Sequence, residues 1–201
     1  CRNNQGFKAL SHLLTDIYTE PRSGHTLLVD RERLHAIAKD LIGLSGGMDG
    51  DIGRALIAGH PDKASELFRQ YATMFEGSFF IELTRTNRSG ENEYETRALE
   101  LASVEGGALV ATNSVRFLSA SDFEAHEIRT CIHQGRVLDD PRRPRAFTTE
   151  QYLRTPDEMA ETFSDLPSAI ENTVEIAKRC NVFVDFDTTH MPLFESTEDK
   201  S

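Results

Sequence analysis

Three short apolar runs, residues 41–45, 79–83 and 108–112, constrain this chain more than any other feature of it. Each is too short for a helix and is bounded by glycines or a polar loop, the pattern of a strand buried on both faces. Between them lie helical patterns with apolar residues three and four apart. Asp51 opens one that carries Ile52, Ala55 and Leu56 on one side and ends at Gly59. Pro61 starts the next, whose face is Ala64, Leu67, Phe68, Tyr71 and Phe75. A third holds Tyr94, Ala98, Leu101 and Ala102 and stops at Gly106 and Gly107. Strand alternating with helix predicts parallel strands joined by crossover helices, an α/β layer or barrel, without choosing between the two.

Outside this unit the pattern is mostly helical. Phe7, Leu10, Leu14 and Ile17 mark the face of a first helix, residues 21–24 a turn and residues 26–29 a short strand. Asp30 caps a second helix that runs to about Lys39. Ser121 or Asp122 starts a helix holding Ala125, Ile128 and Ile132. Residues 139–145 form a charged, proline-broken loop. Thr155 to Glu158 is a capping box with Pro156 at the first helical position. Asp165 caps the last helix, with Pro167 just inside it and Ile170, Val174 and Ala177 along one face. From Asp185 the chain turns polar and reads as a linker.

The 201 residues suffice for one domain, or most of a larger one, with a single sizeable core. Against 22 Lys and Arg stand 33 Asp and Glu, a formal net charge of −11, so the segment as a whole repels phosphate backbones and little direct DNA contact is expected. Three cysteines, Cys1, Cys131 and Cys180, form no CxxC pair; each reads as a small buried hydrophobe rather than a disulfide or zinc ligand. No apolar run approaches the roughly 18 residues of a membrane span, and no leader precedes the first helix. The start at Cys1 rather than Met points to an excised or processed fragment, and a cytoplasmic origin fits.

Ligands of parallel α/β folds gather at the carboxyl ends of the strands. Three loops qualify: residues 46–51, 84–88 and 113–116. The first resembles a phosphate cradle, yet no Lys-Ser/Thr follows its glycines, and Asp49 and Asp51 repel a phosphate. A tight turn with an acidic cap is the better account. Asp122 and His126, four apart on one helix face, have the spacing of two metal ligands, but the loop before them offers nothing to complete a set, so a charged pair near a helix start is preferred. Asp185, Asp187 and His190 tempt a two-metal reading; with Pro192 and a charged tail after them they read as linker. Arg142, Arg143 and Arg145 have Asp139 and Asp140 beside them and read as a solvated loop. No Ser-His-Asp or Cys-His arrangement follows from spacing.

Several stretches resemble a known family. Leu44-Ser45-Gly46-Gly47 followed by Gly50-Asp51-Ile52-Gly53-Arg54, then Phe80-Ile81-Glu82-Leu83-Thr84-Arg85, are similar in order to the polymerase-and-histidinol-phosphatase (PHP) domain of bacterial DNA polymerase III alpha subunits. Residues 110–117, Val-Ala-Thr-Asn-Ser-Val-Arg-Phe, resemble its last metal motif, and residues 125–129, 138–141 and 171–180 the elements that follow. The resemblance implies part of a distorted (β/α)7 PHP-type barrel of parallel strands and crossover helices, followed by C-terminal helices. It implies residues 1–184 as a PHP-domain fragment lacking its N-terminal strands and 185–201 as a linker towards a polymerase core.

The resemblance also locates a degenerate site at the strand ends: Gly47, Asp49, Asp51, Asn113, Ser114, Arg116 and His126. Metal-binding members have Cys where Gly47 stands, Asp at Ser114 and His at Arg116, and a His-x-His motif that this sequence lacks. A glycine offers no side chain, a neutral hydroxyl is a poor ligand and a guanidinium repels a cation, so neither a cofactor nor a catalytic residue is expected here. Arg116 is expected to bridge acidic loops such as that of Asp49 and Asp51. The family then implies a scaffold for the polymerase core and a dock for a proofreading exonuclease subunit, with Mg²⁺ and DNA handled elsewhere in the parent polymerase. Two other readings compete: a metal-dependent phosphoesterase or intrinsic proofreader, and an unrelated α/β module with a small ligand at the strand ends.

Overall fold

The computed structural model describes residues 1–19, 28–189 and 191. Three parallel strands, β1 (Gly43–Leu44), β2 (Phe79–Thr84) and β3 (Ala108–Thr112), form one sheet in the order β1-β2-β3. Gly43 lies opposite Phe79, Phe80 opposite Ala108 and Thr84 opposite Thr112. Around the sheet are α1 (Asn4–Thr19), α2 (Arg31–Ile37), α3 (Asp51–Ile57), α4 (Pro61–Met74), α5 (Glu91–Glu105), α6 (Phe123–Gln134), α7 (Pro156–Thr162) and α8 (Pro167–Arg179). The α/β alternation read from the sequence is present. The strands among the described residues form an open sheet.

Phe79, Ile81 and Leu83 point from β2 into the main core, where they meet Ile52, Leu56, Ala64, Leu67, Tyr94, Ala98 and Leu101 of α3, α4 and α5. Phe68, Tyr71 and Phe75 surround the Phe79 ring at centroid distances of 5.9, 5.2 and 5.8 Å. Each fully buried apolar side chain of this kind contributes about 1.5–3 kcal/mol by leaving water. Tyr94 is buried with its hydroxyl donating to the Glu82 carbonyl at 2.7 Å, and burial pushes its pKa up to about 12. Beyond β3, α8 packs along the strand and Asn172 donates to the Leu109 carbonyl at 2.8 Å. Asn4 exchanges hydrogen bonds with Phe183, and Asn181 N donates to the Arg2 carbonyl, so residues 181–183 lie beside the start of α1.

Several expectations are corrected. The first run of 41–45 keeps only two residues in strand, although Gly43 and Ser45 donate to Ser78 and Phe80 of the β2 side. Of residues 26–29, Leu28 and Val29 are exposed and outside any strand, while 26, 27 and the turn at 21–24 lie outside the described residues. On α1, Phe7 and Leu14 face outward; the inward line is Gly6, Leu10, Leu13 and Ile17. A Cβ on Gly6 would stand 2.3 Å from the Asp40 carbonyl oxygen, and that close approach sets the rotation of the helix. On α6 the difference is larger. Ala125, Ile128 and Ile132 are exposed, Ile132 at 75 %, and the buried residues are His126, Glu127 and Cys131.

The reason lies in residues 139–145. Arg143, read as part of a solvated loop, has its side chain largely covered, 11 % exposed: its Nη1 pairs with Glu127 and its Nε donates to the Leu138 carbonyl at 2.8 Å. A desolvated ion pair requires both partners inward, and this turns α6 against its apolar periodicity. Asp165 caps nothing on α8, whose first residue is preceded by Leu166, and pairs with Arg85 instead. Val174 and Ala177 face outward, and the buried residue of that helix is Ala169. Cys131 is buried as read, Cys1 partly so, and Cys180 is exposed.

Candidate functional site

The carboxyl ends of the three strands lie side by side, and the loops leaving them are joined by protein groups. After β1, Gly46 and Gly47 adopt φ of 78° and 57°, the left-handed region that favours glycine, and a short 3-10 turn carries Met48 and Asp49. α3 then begins so close beneath the turn that a Cβ on Gly53 would stand 2.2 Å from the Gly47 carbonyl oxygen. Asp51 lies at the start of α3, accepts from its neighbour Ile52 N at 2.9 Å and takes the Tyr71 hydroxyl at 2.6 Å. Burial, then the Asp51 carboxylate, raises the Tyr71 pKa.

The loop after β2 is organised by Glu91, 2 % exposed at the first turn of α5. Its carboxylate accepts from Thr84 Oγ1 at 2.6 Å, Thr86 Oγ1 at 2.9 Å, Thr86 N at 2.6 Å and Arg88 N at 3.3 Å. Four donors compensate the burial of one charge. Arg88 is thereby aimed across to the first loop, where it makes a bidentate pair with Asp49 at 2.7 and 3.2 Å. The guanidinium holds the Asp49 carboxyl below its usual range. Arg85, from the same loop, pairs with Glu95 and with Asp165, donates to the Thr162 carbonyl and lies 4.7 Å from the centre of the Phe163 ring. It ties α5 to α7 and the start of α8.

After β3, Asn113 donates to the Glu150 and Tyr152 carbonyls at 2.8 and 2.7 Å, while its Oδ1 is buried without a partner. Ser114 sits at φ 46° with its carbonyl accepting from Gln151 Nε2 at 3.2 Å, and Arg116 N donates to the Gln151 carbonyl at 2.8 Å. Gln151 is 1 % exposed, and Thr148 beside it donates to the Thr86 carbonyl. Residues 148–152 therefore close over the loops of β2 and β3. Nothing in the sequence marks them: Gln151 belongs to no motif, and Glu91 falls in the polar stretch from Thr84 to Asn92.

The Arg116 side chain does not bridge the acidic loops; Arg88 does. Arg116 is exposed, with its guanidinium 5.5 Å from the Phe147 ring centre. His126, from α6, is 8 % exposed, with its ring 5.5 Å from Phe117 and 4.7 Å, edge-on, from Phe147. Asp122, paired with it on spacing, instead accepts from Ser119 N and Oγ at 3.0 and 2.9 Å as part of a capping box. Asp185 folds back on Asp187 N and Thr188 in a local turn, and His190 lies outside the described residues.

A divalent cluster of the PHP type does not fit this donor set. Gly47 supplies no side-chain atom, the Ser114 hydroxyl faces the Gln151 amide, Arg116 brings positive charge and Asp49 is bound to Arg88. The orphaned Oδ1 of Asn113 is one neutral oxygen. No three His, Cys, Asp or Glu residues converge among the described residues, and none of the helices described is long and apolar enough to cross a membrane.

The PHP domain family matches residues 1–86. DNA polymerase III subunit alpha of Pseudomonas aeruginosa is 45 % identical over 192 residues, covering 96 % of this chain and 16 % of that protein. The protein of the same name from Escherichia coli K12 is 45 % identical over 201 residues, with 98 % and 17 % covered. That from Haemophilus influenzae is 40 % identical over 204 residues, again with 98 % and 17 % covered. The chain thus spans about a sixth of the length of the curated relatives it matches. With the PHP match at its start and such identity along nearly all of its length, the chain belongs to the PHP-domain segment of the bacterial DNA polymerase III alpha-subunit family.

Proposed function

We propose that this chain is a non-catalytic part of a replicative DNA polymerase, serving as a scaffold for the polymerase core and a dock for the proofreading exonuclease subunit. The observation that carries the reading is the state of the strand ends. Where metal-binding members present ligands, this chain has an Arg88–Asp49 pair, a buried Glu91 serving loop amides, and Gln151 bonded across Ser114. Groups already engaged with each other give rigidity and leave no set of convergent ligands for hydrolysis. On this reading residues 1–184 are one part of a distorted (β/α)7 barrel, and 185–201 lead towards the core. DNA synthesis with Mg²⁺ belongs to the remainder of the parent protein, and the cytoplasm is its compartment.

Elemental analysis of the purified full-length protein, before and after chelation, tests the metal-free part. We expect no stoichiometric Zn or Mn bound through this segment and an unchanged melting temperature after chelation. Stoichiometric metal whose removal abolishes phosphate-ester cleavage would favour the phosphoesterase reading. Co-purification with the exonuclease subunit tests docking: replacing this segment in the full-length protein should abolish it, and intact binding would sink that role.

A further inference from the structure

We infer that the Asp49–Gly50 bond is a site of isoaspartate formation in this chain, and that the Arg88 guanidinium holds the reaction in check. In that reaction the Gly50 amide nitrogen loses its proton and attacks Cγ of the protonated Asp49 carboxyl. The Cγ–N bond forms, the Cγ–OH bond breaks and water leaves, closing a succinimide ring. Water then adds back to the ring. Opening at the Cγ–N bond restores aspartate. Opening at the bond between the Asp49 main-chain carbonyl carbon and the Gly50 nitrogen sends the chain through the side chain, with one extra backbone carbon. Water is the only co-reactant.

Among the aspartates and asparagines of the sequence, Asp49 alone is followed by glycine. A residue without Cβ leaves the attacking nitrogen unshielded. The packing forbids any shielding there, because a Cβ on Gly50 would stand 1.8 Å from the Ser45 carbonyl oxygen. The turn therefore demands glycine at the very position where glycine opens the aspartate to ring closure. The Asp49 side chain is largely exposed, so water reaches it. The turn also has no room for a longer backbone: a Cβ on Gly53 would already meet the Gly47 carbonyl oxygen at 2.2 Å.

The restraint comes from the neighbouring loop. Arg88 Nη1 and Nη2 donate to the two Asp49 oxygens at 2.7 and 3.2 Å. Ring closure expels one of those oxygens as water, so the fork must open first. The same guanidinium favours the ionised carboxylate, which has no hydroxyl to lose. Arg88 is placed in turn by the buried Glu91, which accepts from its amide at 3.3 Å. A second restraint lies within the turn, where Gly50 N donates to the Gly46 and Gly47 carbonyls at 3.0 and 3.3 Å. The inference is independent of the scaffold reading, since neither metal content nor exonuclease binding bears on it.

Ageing the full-length protein at neutral pH and physiological temperature tests it. Isoaspartate is read by labelling with an isoaspartyl methyltransferase and a labelled methyl donor, and peptide mapping locates the label. We expect it on the peptide holding Asp49, accumulating about fivefold faster in Arg88→Ala, the rate equivalent of losing one exposed ion pair. Asp49→Glu, whose ring would be larger and slower to close, should show none on that peptide. In urea, where the fork is open in every chain, wild type and Arg88→Ala should label at one rate. Leu67→Ala loosens the main core without touching the pair and should keep the folded wild-type rate. Equal folded rates in wild type and Arg88→Ala, an acceleration as large in Leu67→Ala, or label persisting on that peptide in Asp49→Glu would overturn the inference.

Discussion

The loops after β1 and β2 and the loop after β3 stand at the same level of the sheet and solve the problem of charge in opposite ways. On the β1–β2 side every strong charge has a partner: Arg88 with Asp49, Arg85 with Glu95 and Asp165, and Glu91 with four donors. On the β3 side Arg116 and Arg129 pair with no carboxylate among the described residues, and His126 keeps a buried nitrogen unbonded. The difference separates two uses of polar residues. Groups bonded to each other hold loops in place, whereas charges without a carboxylate partner add no such tie.

The comparison breaks most visibly at Glu91. Glu91→Ala strips the acceptor from two hydroxyls and two backbone amides in a buried place, and should cost about 3–5 kcal/mol, read as a lower urea midpoint. A loss of only a few tenths would mean that the β2 loop is not organised by this carboxylate. Next comes Gly53→Ala, whose Cβ would meet backbone at 2.2 Å. Either the β1 turn or α3 must shift, at about 1–3 kcal/mol, and the same midpoint measures it.

Arg88→Ala tests the paired side more gently. Asp49 is largely exposed, so the pair is worth less than about 1 kcal/mol. Its sign is set by the depressed Asp49 pKa. The pair stabilises the fold above the carboxyl's unfolded value, near 3.8, and the contribution is lost as pH falls through the lower folded value. Thermal unfolding of Arg88→Ala should therefore lie below wild type at neutral pH and converge with it in acid. A constant gap down to the lowest pH would assign the effect to packing.

The smallest effect is expected at Arg116, because its exposed guanidinium lies only over the Phe147 ring. Arg116→Ala should change stability by no more than about 0.5 kcal/mol, read from the urea midpoint. A loss above 1 kcal/mol would restore Arg116 as a structural cation and weaken the contrast between the two sides.

How far the chain could be read varied with the range of the interactions. The helices α3, α4 and α5 and the strands β2 and β3 were legible because caps, prolines, glycines and apolar spacing act within a few residues. Asp30, Pro61 and the Thr155–Glu158 box all function as their local chemistry dictates. The side-chain chemistry at 47, 114 and 116 is equally local: a glycine, a hydroxyl and a guanidinium are poor cation ligands. The facing of α6 was not legible, since Ala125, Ile128 and Ile132 make a proper apolar stripe and still lie outside.

By itself the sequence determined the α/β alternation, the helix boundaries near caps and breakers, and the side-chain chemistry at positions 47, 114 and 116. Only the tertiary structure decided that Arg88, rather than Arg116, forms the ion pair with Asp49, that Gln151 closes over the β3 loop, and that Glu127 and His126 face inward on α6. The division has one physical cause. Backbone propensity and ligand chemistry are properties of a residue and its near neighbours, whereas a buried charge goes wherever its counter-ion is, and Arg143 stands sixteen residues from Glu127.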